Sequence, residues 1–212
     1  MLTITSRGNG AGATGRAPSR REWLAGLLIA TLLGACDSGG PKFKSTDITG
    51  AEYGRTLSLT DPSGKRRTLP DFRGKVVVLF FGYVHCPDVC PTTLGELASV
   101  MKQLGSDADR VQVLFVTLDP ERDTPEILAR YATAFDSRFL GLYGNADETR
   151  GVAREFKVFY EKRPGSQLGD YSVDHSAQSY VIDTRGRLRL FVRQGRILTD
   201  LADDIRTLLR EK

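Results

Sequence analysis

Apolar runs alternate with amphipathic segments along most of this 212-residue chain. Residues 75–83, KVVVLFFGY, are almost continuously apolar and β-branched, which is typical of a central strand buried on both faces. The pattern predicts further strands at 111–117, 139–143, 178–182 and 188–192, and helices at 91–104, from 124 onward, at 146–156 and at 198–209. Strands that alternate with helices and then form a hairpin predict an α/β fold with a mixed sheet.

Two connecting segments refine this prediction. Residues 57–59 and 66–69 flank the turn sequence Asp61-Pro62-Ser63-Gly64, which predicts an N-terminal β-hairpin. Residues 159–172 are long for a connection, and we expect an inserted loop there before the last strands, with a functional role. No repeat or long Pro/Gly/Ser segment divides residues 45–212, so we expect a single domain.

The N-terminal segment has the pattern of an export signal. Arg20 and Arg21 precede an apolar run at 23–33, which is shorter than the roughly 18–20 residues that span a bilayer. Small residues then lead into Cys36, as in the cleavage box of bacterial lipoproteins. We therefore expect a signal over residues 1–35 and a lipidated Cys36 with a tether over 36–44. An uncleaved anchor, an ordinary secretory signal and twin-arginine export remain alternatives.

Composition and charge exclude several classes of protein. The formal net charge is +4 and the pI is about 9.0, but residues 1–35 carry four arginines and one glutamate, which leaves the rest at +1. A domain with nearly equal numbers of positive and negative side chains has no electrostatic reason to bind nucleic acid. Three cysteines are too few for a disulfide-stapled miniprotein. Together with the export signal, this composition predicts a globular domain that is held on the membrane and faces the periplasm or cell exterior.

The most informative segment is HCPDVCP at residues 85–91. It follows the predicted central strand, where ligand sites of α/β sheets lie. Cys86 and Cys90 are four residues apart, so on a helix-like turn both thiols point the same way. We expect Cys90 to cap a helix that starts at Pro91, with its pKa lowered by the helix dipole. A structural disulfide is the plain alternative, and the polar loop disfavours a pair of core cysteines.

Three stretches resemble the Sco/SenC family, the thioredoxin-like copper proteins of cytochrome oxidase assembly. They are FFGYVHCPDVCPTTL at 80–94, VTLDPERDTP at 116–125 and DYSVDH at 170–175. Because they are spread over the mature domain, the resemblance covers nearly all of it. It implies a thioredoxin-like fold and a copper site formed by Cys86, Cys90 and His175.

Two thiolates and one imidazole suit copper, since soft thiolates favour Cu(I) and copper heads the affinity order of divalent metals. Zinc accepts the same ligand types, and the sequence leaves open whether copper is carried as Cu(I) or Cu(II).

Other polar residues near the motif have expected supporting roles. Asp174 is expected to orient the histidine, as carboxylates do around metal-bound imidazoles, or else to cap a loop. Asp119 and Arg122 follow a strand on the cysteine edge of the sheet and are expected to present charge to a partner. Asp123 is expected to cap the helix that follows it. His85 is expected to be a surface or packing residue and not a metal ligand.

The leader predicts a membrane-tethered protein, and the resemblance implies a copper chaperone, rather than an enzyme, that supplies the Cu-A site of a cytochrome c oxidase subunit. Other copper carriers or thiol reductants are the further expected partners. The rival interpretation is a thiol–disulfide oxidoreductase with Cys86 and Cys90 as its catalytic pair. A redox or copper sensor is a third interpretation. His175 distinguishes the chaperone from the oxidoreductase, because a dithiol oxidoreductase does not require it, whereas a sensor would use the same residues as the chaperone.

Overall fold

The computed structural model describes residues 41–166 and 170–211. The strands are β1 (Thr46–Asp47), β2 (Ser58–Thr60), β3 (Arg66–Thr68), β4 (Val76–Gly82), β5 (Val111–Thr117), β6 (Leu140–Leu142), β7 (Tyr160–Pro164), β8 (Tyr171–His175), β9 (Ser179–Ile182) and β10 (Leu188–Val192). The helices are α1 (Val89–Leu104), α2 (Pro125–Phe135), α3 (Ala146–Glu155) and α4 (Ile197–Arg210), with 3₁₀ turns at Leu69–Phe72 and Gly105–Arg110.

Six of these strands form one mixed sheet in the order β1-β10-β9-β4-β5-β6. Strands β4, β5 and β6 are parallel, whereas β9 runs antiparallel to β4, β10 to β9 and β1 to β10. Every side chain of β4 is buried, because strands lie on both sides of it and the helices cover the sheet. The predicted α/β class with a mixed central sheet is confirmed, and its most apolar strand lies at the centre.

The predicted N-terminal hairpin is present. Strands β2 and β3 pair antiparallel across the Pro-Ser-Gly turn, in which Gly64 adopts a positive φ of 85° that favours glycine. The Asp61 carboxylate accepts a hydrogen bond from the Ser63 backbone N–H at 2.9 Å and closes the turn. A bridge between Thr60 and Tyr143 then attaches the hairpin beyond the end of β6.

The expected inserted loop is instead a two-stranded antiparallel ribbon. Strands β7 and β8 pair from Tyr160 opposite His175 to Pro164 opposite Tyr171. The sequence did not reveal the ribbon because most of its side chains are exposed, so backbone pairing forms it without an apolar period. His175 is therefore the last residue of strand β8.

The two-residue edge strand β1 was not predicted either, because both of its side chains are exposed and produce no hydrophobic pattern. Just before it, the backbone N–H groups of Lys44 and Ser45 donate to the Asp204 carboxylate of α4 at 2.8 and 2.9 Å. A buried side chain of the last helix thus fixes the start of the domain.

The predicted export signal over 1–35 and the lipidation site at Cys36 lie outside the described residues. Within residues 41–166 and 170–211, none of the helices combines the length and the apolar character needed to cross a bilayer.

Candidate metal centre

The site lies where β4 ends and the chain turns into α1. The helix begins at Val89, two residues before the predicted start, so Cys90 lies in its first turn and Asp88 precedes it. Pro91 is accommodated because the first-turn N–H groups of a helix have no partner within it. The expectation that Cys90 caps the helix is therefore wrong.

The structure brings Cys86, Cys90 and His175 together. Two sulfurs and one imidazole nitrogen lie within 4.8 Å of one another. The Cys90 Sγ lies 3.5 Å from His175 Nε2, and Cys86 Sγ accepts a hydrogen bond from the Cys90 backbone N–H at 3.5 Å. Both cysteines are free thiols, so the structural disulfide is absent here. The residue farthest along the chain thus joins the two-cysteine turn.

The two thiols differ in exposure. Cys90 is fully buried, whereas Cys86 is half-buried. Burial raises the pKa of the Cys90 thiol well above its usual value, with a further contribution from nearby Cys86. The direction of the pKa shift is thus opposite to the lowering expected from the helix dipole, because the thiol of Cys90 is buried. A bound cation reverses this balance, since a metal-coordinating thiol is deprotonated.

His175 is oriented for coordination through Nε2. Its Nδ1 lies 3.0 Å from the Ser176 carbonyl oxygen, which only accepts hydrogen bonds, so Nδ1 carries the proton and Nε2 a lone pair. Burial lowers the pKa of His175, which favours the neutral, metal-binding form. The rings of Tyr83 and Phe80 stand edge-on to the imidazole, with centroids 6.0 and 6.3 Å away. These contacts confine the ring beside the sulfurs.

Asp174 does not contact the imidazole. Neighbouring residues in a strand point to opposite faces, and the exposed Asp174 carboxylate accepts a hydrogen bond from Arg163 Nε at 3.0 Å. The contact expected of Asp174 is made by the Ser176 carbonyl instead. Asp174 remains close enough for its charge to be a lesser influence that raises the pKa of His175.

Asp119 does not present charge at the surface. Its side chain is fully buried, and its carboxylate accepts hydrogen bonds from Arg122 Nε at 2.5 Å and from the Tyr171 hydroxyl at 2.7 Å. The expectation of a direct partner contact through Asp119 is therefore corrected. The alternation of Tyr171, Val173 and His175 on one face of a strand is the signal that could have revealed the contact between Tyr171 and Asp119.

Asp123 does not cap α2. Thr124 does so, with its hydroxyl accepting a hydrogen bond from the Ile127 backbone N–H, since it directly precedes the first helical residue. The Asp123 carboxylate turns inward and accepts hydrogen bonds from the Val84 backbone N–H at 3.0 Å and the Thr117 hydroxyl at 2.5 Å. Burial raises its pKa. Asp123 thus attaches the cysteine loop to the end of β5.

His85 is exposed, as expected, and lies outside the cluster. Its nearest acidic partner is Asp123, with Nδ1 3.7 Å from Oδ1.

The donor set fits a soft metal ion in an open site. Within the described part of the chain, the cluster has two sulfurs and one nitrogen, with no fourth cysteine, histidine or carboxylate. Structural zinc sites usually have four protein ligands, whereas thiolates with an imidazole suit copper. Three protein ligands are one fewer than a closed structural zinc site has, and such a set leaves a coordination position for an incoming ligand.

Comparison with known proteins agrees with this chemistry. The family model described as SCO1/SenC matches residues 45–210. The mitochondrial SCO2 homologue of Bos taurus is 40% identical over 152 residues, which are 71% of this chain and 57% of that protein. The chain thus spans little more than half of the length of this relative.

Two solved structures are similar. ScoI of Bradyrhizobium japonicum, with copper bound, is 39% identical and superposes with a TM-score of 0.67, covering 74% of this chain and 99% of that one. Yeast Sco1, also with copper bound, is 30% identical with a TM-score of 0.69, over 76% of this chain and 91% of that one. The thioredoxin-like class of the fold is confirmed by these similarities.

Proposed function

Since the chain belongs to the SCO1/SenC family, we propose that it binds one copper ion and delivers it to the Cu-A site of a cytochrome c oxidase subunit. Cys86, Cys90 and His175 are the proposed ligands. Other copper carriers or thiol reductants would load the site or keep its thiols reduced.

One observation supports this proposal above the others: an imidazole more than eighty residues away lies within coordination reach of both sulfurs. A cysteine pair alone serves many redox proteins, but it needs no histidine. The neutral imidazole supplies a third ligand without adding charge. Two thiolates with Cu(I) carry one net negative charge, and such a charge is better tolerated at a partly exposed site than in a dry core.

The proposed transfer proceeds by ligand exchange. Both thiols must be deprotonated when copper binds, so binding releases protons and becomes tighter as pH rises. On delivery, ligands of the acceptor replace the protein ligands one at a time, and the thiols regain protons. Cys86 is the less buried of the two cysteine residues and is therefore the proposed point of entry for an incoming ligand.

The rival function is thiol–disulfide exchange by Cys86 and Cys90 on the oxidase subunit or on other extracytoplasmic thiols. In that reaction a thiolate attacks a partner disulfide, and the second thiol resolves the mixed disulfide. The pair loses two electrons as the substrate gains them. A redox or copper sensor would use the same residues.

Replacement of His175 tests the proposal. We expect His175→Ala to weaken Cu(I) binding by at least about 100-fold, since the loss of even an outer-shell partner costs about 10–100-fold. The reduced domain lacking residues 1–36 is titrated in the presence of a competing Cu(I) chelator, and metal stoichiometry is measured. The matched control is His85→Ala, which removes the other histidine and leaves the cluster intact.

The cysteine pair of His175→Ala should still form and lose its disulfide in a glutathione redox buffer. Copper affinity equal to that of the wild type in this variant would contradict the carrier proposal and leave the oxidoreductase as the better interpretation.

We also propose that the chain is exported and held on the membrane by lipid attached to Cys36. The order of the arginine pair, the apolar run and the small residues before Cys36 supports a lipoprotein signal over residues 1–35. Residues 36–44 would form the tether and 45–212 the copper-binding domain. Several acyl chains at about 0.8 kcal/mol per buried methylene would hold it stably.

A further inference from the structure

The ribbon that carries His175 has few backbone attachments. Strands β7 and β8 pair only with each other among the described strands and do not join the six-stranded sheet. Beyond the three-residue connection from His175 to β9, which pairs with β4, the position of the ribbon therefore depends on side-chain contacts. One is Val173, which is buried on the same face of β8 as the imidazole.

A second contact is a polar cluster at the far end of β8, in which Arg122 and Tyr171 are partly exposed and surround the fully buried Asp119. Arg122 Nε donates to the Asp119 carboxylate at 2.5 Å, and Arg122 Nη1 donates to the Tyr171 backbone carbonyl at 3.0 Å. The Tyr171 hydroxyl closes the ring by donating to Asp119 at 2.7 Å. The guanidinium also lies 3.6 Å from the centroid of the Tyr171 ring. We call Asp119, Arg122 and Tyr171 the latch.

The latch also reaches the cysteine side of the site. The other neighbour of the Arg122 guanidinium is the ring of Tyr83, with its centroid 5.9 Å away. Tyr83 stands edge-on to His175, and its carbonyl accepts the hydrogen bond from the Cys86 N–H at 3.3 Å. Arg122 thus lies between one residue of the histidine ribbon and one residue of the cysteine loop.

The chemistry of the latch distinguishes it from the surface ion pairs nearby. Lys162 of the ribbon pairs with Glu121 at 2.7 Å, but both side chains are substantially exposed, and such pairs contribute little. Asp119 is fully buried, so the loss of a partner leaves a desolvated carboxylate with fewer hydrogen bonds. Arg122 Nη2 is itself buried without a hydrogen-bond partner among the described residues. Hydrogen bonds weaken steeply with distance and angle, so the bonds among Asp119, Arg122 and Tyr171 favour one position of the ribbon.

We propose that the latch is a positioning device, which fixes the ribbon so that the His175 imidazole stays within coordination distance of the two sulfurs. This inference rests on the proposed copper function. Arg122 and Tyr171 touch no reacting atom in this scheme and act only through the placement of His175.

A double-mutant cycle tests the latch. Cu(I) affinity is measured by chelator competition for the wild type, Arg122→Gln, His175→Ala and the double variant. We expect Arg122→Gln to weaken binding by about 10–100-fold, the range for residues that orient metal ligands. In the His175→Ala background the same change should cost less than about threefold, because the ligand it positions is gone. The control is Arg163→Gln, whose ion pairs lie within the exposed ribbon.

A second variant and a metal-free measurement guard against a general folding defect. Tyr171→Phe removes only the hydroxyl, and we expect faster amide hydrogen exchange over residues 171–175 in its apo form than in the wild type or Arg163→Gln. Equal losses of affinity from Arg122→Gln in both backgrounds would overturn the latch, as would unchanged affinity and exchange in both latch variants. If His175→Ala alone leaves affinity unchanged, the copper proposal itself fails, which is a different result.

Discussion

Gly82, the last residue of β4, allows the close approach of the Cys90 sulfur. A Cβ atom at this position would lie 2.5 Å from Cys90 Sγ and 2.9 Å from the ring of Phe115. Neither neighbour has free space, because both side chains are fully buried. The identity of one backbone residue therefore determines where a proposed ligand is held.

We expect Gly82→Ala to destabilise the metal-free protein by about 1–3 kcal/mol, the usual cost of overpacking a core, and to weaken copper binding by displacing Cys90. Urea unfolding and Cu(I) competition measure the two effects. Gly95→Ala is the matched control in α1, where an added Cβ meets no atom within 4 Å, and it should add about 0.5–1 kcal/mol of stability. Wild-type affinity and stability in Gly82→Ala would disprove the close approach.

At the residue scale, the sequence predicted which donors cluster but not their environments. The cysteine spacing and the resemblance pointed to the donors that the fold brings together. The burial of Cys90 was not predictable, because the surrounding prolines and aspartate indicated a surface loop and the helix starts earlier than the proline suggests. Asp119 and Asp174 were assigned from their sequence neighbours, whereas their contacts depend on tertiary packing.

At the scale of elements, the strands were located correctly where a long apolar run marked a strand that is buried on both faces. The apolar runs of β4 and β5 were located within a residue, because strands buried on both faces are almost continuously apolar, with few polar positions such as Gln112 and Thr117 of β5. The β7–β8 ribbon and β1 were missed, because their backbone pairing is not accompanied by a buried apolar face. Such exposed elements leave little trace in a hydrophobic pattern.

The attachment of β1 to α4 gives a prediction at the same scale. Asp204 is buried and accepts two backbone hydrogen bonds, whereas its neighbour Asp203 is exposed and pairs only with the side chains of Lys44 and Arg206. We expect Asp204→Ala to cost about 1–3 kcal/mol in urea unfolding, since it leaves polar groups without partners. Asp203→Ala should change stability little. Equal effects of the two variants would show that the attachment does not depend on the buried carboxylate.

At the scale of the whole molecule, the proposed anchor and the proposed copper site belong to separate parts of the chain. From Cys36 to Lys44 the chain spans at most about 30 Å when extended. A lipid on Cys36 would thus keep the domain close to the membrane surface.

We expect Cys36→Ser to move the full-length protein from the membrane fraction to the soluble fraction after cell disruption. Cys86→Ser is the matched control, because it removes a cysteine without touching the proposed lipidation site, and it should remain in the membrane fraction. Retention of Cys36→Ser on the membrane would indicate an uncleaved N-terminal anchor instead.

The unequal exposure of the two cysteines suggests an order for reactions from solution. Cys86 is a partly exposed residue, whereas Cys90 is fully buried. We therefore expect a reagent to modify Cys86 before Cys90, which makes two chemically identical groups kinetically distinct. Stepwise labelling, with one fast and one slow thiol, is the signature of this asymmetry.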